Sequence, residues 1–297
     1  MKKILTVGLS PAIQRTLVFD DFNIGEVNRA SNYYLDAAGK CVNVSRVLNQ
    51  AGISNPCLTP VGRENQREFL SLCEKDGLRM VPVFTSARVR TCITCLDRKK
   101  QSATELVVNE PESIEAEEEQ AFWNTYAASF VEEGLLVVIS GSKLPGFSDA
   151  IIPRMVEHAK KHKSVVIADY RNDDLRKSFF SRTICPDFVK INESELLQTF
   201  SEYDSLIEAL KQITLQYNTT VIITRGKEAT LSAVDGILKE HPTQKVLQPC
   251  NPIGCGDAMT AGFAYGIASD MNYFQAIEHG QEFARKNLES VHPGWIL

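Results

Sequence analysis

Short apolar runs alternate with segments of helical periodicity through most of this chain. The runs typical of buried strands are Ile4 to Val7, Leu58 to Val61, Leu135 to Ile139, Val165 to Ala168, Phe188 to Ile191 and Val221 to Thr224. The pattern predicts helices at about Lys40 to Gln50, through Phe69 and Leu72, over Glu115 to Glu132 and over Ala150 to His162, with two more before Val221. Strands and helices in this order predict an α/β fold, with helices on both faces of a mostly parallel sheet. Ligands of such sheets bind at the carboxyl ends of the strands.

Two regions break this alternation. Thr16 to Tyr34 and Val89 to Val108 carry β-type residues and turn signals without a helical period, which predicts strands of a separate small sheet. We see no internal repeat, low-complexity segment or linker rich in Pro and Gly. We therefore interpret the small sheet as a lid, inserted at about residues 16–34 and 89–108 into a single domain that spans residues 1–297.

Composition narrows the class of protein. The 297 residues are 43% hydrophobic, enough for the core of one large domain, and the net charge of −5 gives no support to a nucleic-acid surface. No apolar run is long enough to cross a bilayer, and the start of the chain does not read as a signal peptide, so we expect a cytoplasmic protein without a membrane partner. The pair Cys92 and Cys95 reads as strand residues that point to opposite faces rather than as a metal or redox motif.

The segment Pro252 to Ala258 carries the candidate chemistry. It contains Gly254, Cys255, Gly256 and Asp257 and opens the apolar run Met259 to Ile267, which predicts the start of a helix. Backbone N–H groups converge at that end of a helix and attract anions. A phosphate beside a carboxylate makes best sense if the amides hold a transferring phosphoryl group while Asp257 takes the proton of the attacking hydroxyl. The alternative from the residues alone is a plain turn with an acidic cap.

Other nucleotide-binding motifs do not fit this chain. The pairs Gly39-Lys40 and Gly226-Lys227 lack both the earlier glycine and the following Ser or Thr of a phosphate-binding loop. Met259 occupies the place of the third glycine of a dinucleotide fingerprint. The segment around Asp257 is therefore the best candidate for a phosphate site.

Several segments together resemble one enzyme family. The segments Gly254 to Asp257 and Ala38 to Val44 resemble the two signatures of the PfkB, or ribokinase-like, sugar kinases. Its hexose-phosphate branch, with 1-phosphofructokinase and tagatose-6-phosphate kinase, is similar also at Gly25 to Arg29, Val89 to Thr91, Ile139 to Ser142, Val189 to Glu195 and Thr224 to Gly226. The resemblance implies a three-layer α/β/α ribokinase-like core with a small β-sheet lid. It also implies transfer of phosphate from ATP, with Mg²⁺, to a sugar phosphate.

The resemblance also implies roles for individual residues. Asp257 would be the general base, and the amides of Gly254, Cys255 and Gly256 would form the anion hole. The residues that would bind the substrate are Gln14, Arg29, Gly39, Lys40, Asn43, Arg90 and Ser140, with Lys40 and the two arginines as a phosphate clamp. Those that would bind ATP are Lys190, Asn192, Glu195, Thr224 and Gly226. No direct metal ligand is expected, since Asn192 and Glu195 would act on Mg²⁺ through water; a capping box is the alternative for this pair.

Departures from the family pattern keep alternatives open. Gln14 stands where the hexose-phosphate members usually have Asp, which leaves the sugar open. Ala38 and Cys41 replace glycines of the first signature, and Asp169-Tyr170-Arg171 replaces a small turn. The leading expectation is a 1-phosphofructokinase-like enzyme that converts fructose 1-phosphate to fructose 1,6-bisphosphate. The alternatives are a tagatose-6-phosphate kinase or 6-phosphofructokinase, a ribokinase-like kinase of a neutral sugar or nucleoside, and a non-catalytic sugar-phosphate sensor.

The assembly follows from the exposed strands of the lid. Strand edges are generally covered in proteins, and members of the family that this chain resembles often pair lids across a dimer. We therefore expect a homodimer formed through the lid.

Overall fold

The fold is built on two sheets. The computed structural model describes residues 1–108, 112–244, 246 and 249–297. Strands of the large sheet are β1 (Ile4–Leu9), β4 (Pro56–Gly62), β5 (Arg79–Thr85), β8 (Leu136–Lys143), β9 (Val165–Asp169), β10 (Phe188–Asn192), β11 (Thr220–Thr224), β12 (Thr230–Val234) and β13 (Ile237–His241). Strands of the small sheet are β2 (Ala12–Phe19), β3 (Asn32–Ala38), β6 (Arg90–Asp97) and β7 (Ser102–Val107).

Helices occupy both faces of the large sheet. Those within the described residues are α1 (Lys40–Gln50), α2 (Gln66–Lys75), α3 (Ala116–Ala128), α4 (Ile151–Lys161), α5 (Asn172–Lys177), α6 (Glu193–Thr199), α7 (Leu206–Gln216), α8 (Cys255–Ala268) and α9 (Tyr273–Leu288). The mostly parallel sheet with helices on both sides and a small separate sheet confirms the fold class predicted from the sequence.

The order of the large sheet places a ligand site. It runs β13-β12-β11-β10-β9-β8-β1-β4-β5, and all neighbours are parallel except for the two pairs that join β11, β12 and β13. Because the chain proceeds away from β1 on one side and away from β8 on the other, the connections separate between these two strands. Such a switch point opens a crevice at the carboxyl ends of parallel strands.

Alternating side chains build a core on each face. Leu5 and Val7 of β1 pack with α3 to α7 in one cluster, while Ile4 packs with α1, α8 and α9 in another. This period of two is what a sheet buried on both faces requires. A third cluster joins Phe69 of α2 to β4 and to Ile13 and Ala37 of the small sheet, so α2 connects the small sheet to the core.

Three element bounds differ from the predictions. The small sheet begins at Ala12 and its second strand runs to Ala38, beyond the predicted 16–34. Helix α3 ends at Ala128 rather than near Glu132, because acidic residues are unfavourable at a helix C-terminus and Glu132 and Glu133 instead pair with lysines outside the helix. The hairpin of β12 and β13 was not predicted.

In the parts of the chain that the structure describes, none of the helices combines the length and apolar character that crossing a bilayer takes.

We predict that Phe69→Ala lowers the free energy of unfolding by about 3–5 kcal/mol, because it empties a fully buried site between α2, β4 and the small sheet. Urea denaturation measures the change. Phe180→Ala is the matched control, since Phe180 is 51% exposed and its loss removes little packing. Equal effects of the two substitutions would contradict this account of the core.

Candidate active site at the carboxyl edge of the sheet

Asp169 lies at the centre of the site. This carboxylate ends β9, is fully buried, and faces two lysines: Lys40 Nζ is 2.9 Å from Oδ1 and Lys190 Nζ is 3.4 Å from Oδ2. Its Oδ2 also accepts hydrogen bonds from Ser140 Oγ at 3.2 Å and from Thr260 Oγ1 at 2.9 Å. Asp169 and these four partners, the group around Asp169, therefore connect β8, β9, β10, α1 and α8.

The charges of this group are mutually stabilised. Burial alone would raise the pKa of Asp169, but Lys190 and Lys40 outweigh it and hold the pKa at about 2. Burial likewise disfavours the Lys40 ammonium, yet the carboxylates of Asp169, Asp257 and Glu195 raise its pKa above the ordinary value. Asp169 is therefore ionised and Lys40 charged throughout the neutral pH range.

The glycine turn before α8 presents main-chain donors. Gly254 is the N-cap in the left-handed conformation, with φ 85°, and a Cβ there would lie 2.3 Å from the backbone nitrogen of Gly294. The Cys255 amide makes a turn hydrogen bond of 3.3 Å to the Pro252 carbonyl. Within the described residues, no protein acceptor takes up the amide of Gly254 or Gly256. Two of the three amides predicted as an anion hole are thus open to a ligand.

Asp257 sits in the first turn of α8 with one oxygen engaged. It is 7% exposed, and its Oδ2 accepts a hydrogen bond of 2.7 Å from Asn43 Nδ2. Burial raises the pKa of Asp257 to about 6, Lys40 opposes this shift, and the like charge of Asp169 adds to it. A carboxylate with such a pKa is ionised at neutral pH and still basic enough to accept a proton.

Lys190 completes the cationic wall of the site. It lies in the middle of β10 with its side chain 5% exposed, and a Cβ on Gly256 would lie 3.1 Å from Lys190 Nζ. The ammonium group therefore stands beside the open amides of the glycine turn, where a transferring phosphoryl group would be surrounded by positive charge.

Asn192 and Glu195 form a capping box in the structure. Asn192 Oδ1 accepts from the Glu195 amide at 2.8 Å, and Glu195 Oε2 accepts from the Asn192 amide at 3.0 Å. The capping geometry weighed as the alternative is thus present. It holds both side chains at the start of α6, next to Thr224, which pairs in register with Asn192, and to the turn at Gly226.

The small sheet brings some of the predicted substrate residues near α1. Arg90 and Ala12 pair in register, and Ala12 pairs with Ala38, two residues before Lys40. The Nε of Arg90 is buried and has no hydrogen-bond partner among the described residues. Gly39, with φ 103°, is the N-cap of α1, and its missing side chain lets Pro11 approach.

Two predicted substrate residues make no hydrogen bond or ion pair with the group around Asp169 in the described part of the chain. Gln14 is 3% exposed and its Nε2 donates to Thr94 Oγ1 at 2.8 Å, within the small sheet. Arg29 is exposed between β2 and β3, and no contact in the described part of the chain joins it to the group around Asp169.

Asp169 itself was not predicted as a site residue. In the sequence its segment stands out only as a bulky replacement of a small turn. The sequence nevertheless contains one indication of its role: Asp169 is an acidic residue at the carboxyl end of a predicted parallel strand, where ligand sites lie.

The C-terminal segment also borders the site. Gly294 fits against Asn43, since a Cβ there would lie 2.6 Å from Asn43 Cβ. Asn287 of α9 donates to the Ile253 carbonyl at 2.9 Å and accepts from the Trp295 amide at 3.1 Å. His292 Nδ1 lies 3.0 Å from Asp36 Oδ1 of the small sheet. The segment therefore joins the glycine turn, α1 and the small sheet.

A mostly parallel sheet with charged groups at its carboxyl edge, a glycine turn opening a helix and a small sheet beside them define the ribokinase-like class of α/β proteins. Solved structures agree. Phosphofructokinase-2 from Escherichia coli in complex with fructose-6-phosphate has a TM-score of 0.87 at 17% identity, covering 97% of this chain and 94% of that one. A protein described as a possible 1-phosphofructokinase from Thermotoga maritima has a TM-score of 0.85 at 20% identity, covering 99% and 94%.

Sequence comparisons give the family. The model of the pfkB family carbohydrate kinases matches residues 1–294. Tagatose-6-phosphate kinase from Staphylococcus epidermidis is 25% identical over 300 residues, covering 99% of this chain and 94% of that protein. This chain belongs to the pfkB family of carbohydrate kinases. It is a phosphotransferase that acts on a sugar hydroxyl, which confirms the enzyme class expected from the resemblance.

We predict that Gly254→Ala destabilises the protein more than Gly226→Ala does. Both glycines have positive φ, which costs a residue with a Cβ about 1–2 kcal/mol. Only Gly254 would place that Cβ against the Gly294 backbone, which adds about 1–3 kcal/mol of steric strain. Urea denaturation of both variants checks the difference. Equal midpoints would show that the C-terminal segment does not pack against the glycine turn in solution.

Proposed function

We propose that this enzyme transfers the γ-phosphoryl group of ATP to a hydroxyl of a sugar that already carries a phosphate, with fructose 1-phosphate as the substrate and fructose 1,6-bisphosphate as the product. The observation that carries the proposal is the Asp257 carboxylate, held by Asn43 beside the open amides of Gly254 and Gly256 and the Lys190 ammonium. Phosphoryl transfer needs a group that positions or deprotonates the attacking hydroxyl and donors that disperse the charge of the migrating group, and this arrangement offers both.

In the proposed reaction Asp257 accepts the proton of the attacking hydroxyl. The hydroxyl oxygen forms a new bond to the γ-phosphorus while the bond from that phosphorus to the β,γ-bridging oxygen breaks, and ADP leaves with the electron pair. The Gly254 and Gly256 amides and Lys190 neutralise the migrating group. The Cys255 amide would contribute by giving up its long turn hydrogen bond to Pro252.

The nucleotide site is proposed along the neighbouring strand ends. Asn192 and Thr224 end β10 and β11 and pair in register, Glu195 follows in α6 and Gly226 in the turn after β11, and Lys190 lies two residues before Asn192. Within the described residues, no cluster of three or more His, Cys, Asp or Glu side chains is arranged to hold a metal ion. Mg²⁺ would be carried by the nucleotide phosphates and water, with Asn192 and Glu195 holding the water. Bound there, the ion would neutralise phosphate charge.

Two observations favour a phosphorylated acceptor. Arg90 offers a buried Nε without a protein partner, and Lys40, with 37% of its side chain exposed, is held charged by Asp169. Together with Arg29 from the loop before β3, these groups would clamp a phosphate, for which arginine is geometrically suited. Gly39, Asn43 and Ser140 would face the sugar, and Gln14 would contact it only after exchanging its bond to Thr94.

Tagatose 6-phosphate is the second candidate substrate. It is favoured by the tagatose-6-phosphate kinase from Staphylococcus epidermidis, which is similar along 99% of this chain. Both candidates use the same base and anion hole, and they differ in which end of the ketohexose carries the phosphate and in the configuration at C4.

A substrate panel tests the proposal. We predict ATP consumption that depends on fructose 1-phosphate, with tagatose 6-phosphate and fructose 6-phosphate turned over less efficiently and fructose or ribose hardly at all. Asp257→Asn should fold and lose on the order of 10²-fold or more of kcat, because the amide cannot take the proton. Activity only on neutral sugars would overturn the phosphate clamp.

The control for this experiment is Asp270→Asn, which removes an exposed carboxylate at the far end of α8. It should keep normal turnover. Near-normal kcat in Asp257→Asn would show that Asp257 is not the base. ATP binding without turnover of any sugar would favour a non-catalytic sensor instead of an enzyme.

We predict that kcat/KM falls as pH drops through about 6. The reaction needs ionised Asp257, whose pKa burial raises to about 6, so protonation below that pH removes the base. Asp169 and Lys40 do not change charge near pH 6, because the pKa of Asp169 is about 2 and the pKa of Lys40 is raised above its ordinary value. A pH–rate profile measures the midpoint. An acid limb near pH 4 would contradict the burial of an active base.

We propose that two copies pair through the small sheet in the cytoplasm. Three apolar side chains at the end of the edge strand β7 are exposed to solvent: Leu106 by 49%, Val107 by 50% and Val108, the residue after the strand, by 46%. Light scattering should show a dimer at micromolar concentration that Leu106→Lys dissociates, whereas Ile237→Lys on the edge strand β13 should leave it intact. A monomeric parent protein would contradict the pairing.

A further inference from the structure

Arg46 is the largest fully buried side chain among the described residues. It lies in the middle of α1, where its side chain is 1% exposed, and its Nε donates to Asp76 Oδ2 at 2.7 Å. Its Nη1 donates to Asn43 Oδ1 at 2.9 Å and to the Pro293 carbonyl at 3.2 Å, while Nη2 donates to the Ala37 carbonyl. Burying a guanidinium costs free energy unless it is paired and fully hydrogen-bonded. An apolar side chain would fill the same space without that cost, so packing alone does not account for an arginine here.

The position of Arg46 fixes the direction of the Asn43 amide. Arginine has only hydrogen-bond donors, so it must face the amide oxygen of Asn43. The NH₂ group is then directed to the other side, where it donates to Asp257 Oδ2 at 2.7 Å. A flipped amide would place NH₂ against the guanidinium and oxygen against the carboxylate, and both bonds would be lost.

The C-terminal segment restricts the remaining freedom of Asn43. Gly294 packs so closely that a Cβ there would lie 2.6 Å from Asn43 Cβ and 2.9 Å from Asn43 Cγ. Arg46 holds the same segment through the Pro293 carbonyl. Arg46 therefore fixes the direction of the Asn43 amide, and the adjoining C-terminal segment fixes its position.

We propose that Arg46, which does not touch Asp257, is a positioning residue for the catalytic base: through Asn43 it keeps a donor on Asp257 Oδ2 and leaves Oδ1 to accept the substrate proton. This inference rests on the proposed role of Asp257. It assigns a function in catalysis to a side chain that lies behind the site.

The consequence is a defined change in the titration of Asp257. The donor from Asn43 stabilises the ionised carboxylate, and an amide oxygen in its place would stabilise the protonated form, so the pKa of Asp257 rises without Arg46. The charged groups that face Asp257 are Lys40 from α1, Asp169 from β9 and Lys190 from β10, and none of them is altered by a change at position 46.

The test compares Arg46→Met with Val47→Ala. Methionine fills similar volume without donors, so we expect the acid limb of kcat/KM to move up by about one pH unit, with roughly tenfold lower kcat/KM below the limb. Val47 is the next residue of α1 and is fully buried, so Val47→Ala lowers thermal stability without removing a hydrogen-bond donor or acceptor from the network around Asn43. It should leave the acid limb in place.

A second variant and a second measurement complete the test. Arg46→Lys retains a positive charge for Asp76 but replaces the branched guanidinium by a single ammonium group. We therefore expect the acid limb to move in the same direction by a smaller amount. Carbon-13 NMR of the labelled aspartate carboxyls, with Asp257→Asn used to assign the resonance, follows the titration of Asp257 without substrate. An upward shift in the Arg46 variants and not in Val47→Ala supports the inference.

The inference is overturned if the folded Arg46 variants titrate at the wild-type midpoint in both measurements. Because the NMR titration needs no turnover, it separates this result from failure of the proposed function, which would instead appear as activity retained in Asp257→Asn.

Discussion

The buried carboxylate of Asp169 is the interaction on which the site depends. It brings together Lys40 of α1 and Lys190 of β10, two ammonium groups that would otherwise repel each other, and it takes hydroxyl donors from Ser140 and Thr260. The carboxylate is thus the counter-ion that lets two cationic side chains from different elements lie close together. The proposed anion site therefore depends on a negative charge that the sheet itself supplies.

The same group also shapes the environment of Asp257, the proposed base. Asp257 lies in the field of both lysines and of Asp169, and burial raises its pKa to about 6 while that of Asp169 stays at about 2. Two buried acids of the same kind thus divide into a permanent anion and a titrating one. The division follows from the partners: Asp169 faces the ammonium groups directly, whereas Asp257 is hydrogen-bonded to a neutral amide.

Much of the fold and part of the site could be predicted from the sequence. The alternation of strands and helices predicted the layers, and the Gly254 to Asp257 turn predicted a helix start with a carboxylate in its first turn, as α8 has. The Asn192 and Glu195 spacing predicted a shared first turn, and the structure shows the capping box that was its alternative. Gln14 was expected toward the sugar, yet it bonds to Thr94, because pairing of β2 with β6 brings an acceptor beside it.

By itself, the sequence determined what depends on neighbours along the chain: the strands, the glycine turn, and the placement of Asp257 where a helix begins. Only the tertiary structure decided which charges meet. Asp169, Lys40 and Lys190 come from three separate elements, and Arg46 is hydrogen-bonded both to Asn43, which contacts Asp257, and to the returning C-terminal segment. The reason is physical, since local backbone preferences act over a few residues, whereas the pKa of a buried group is set by whatever the fold packs against it.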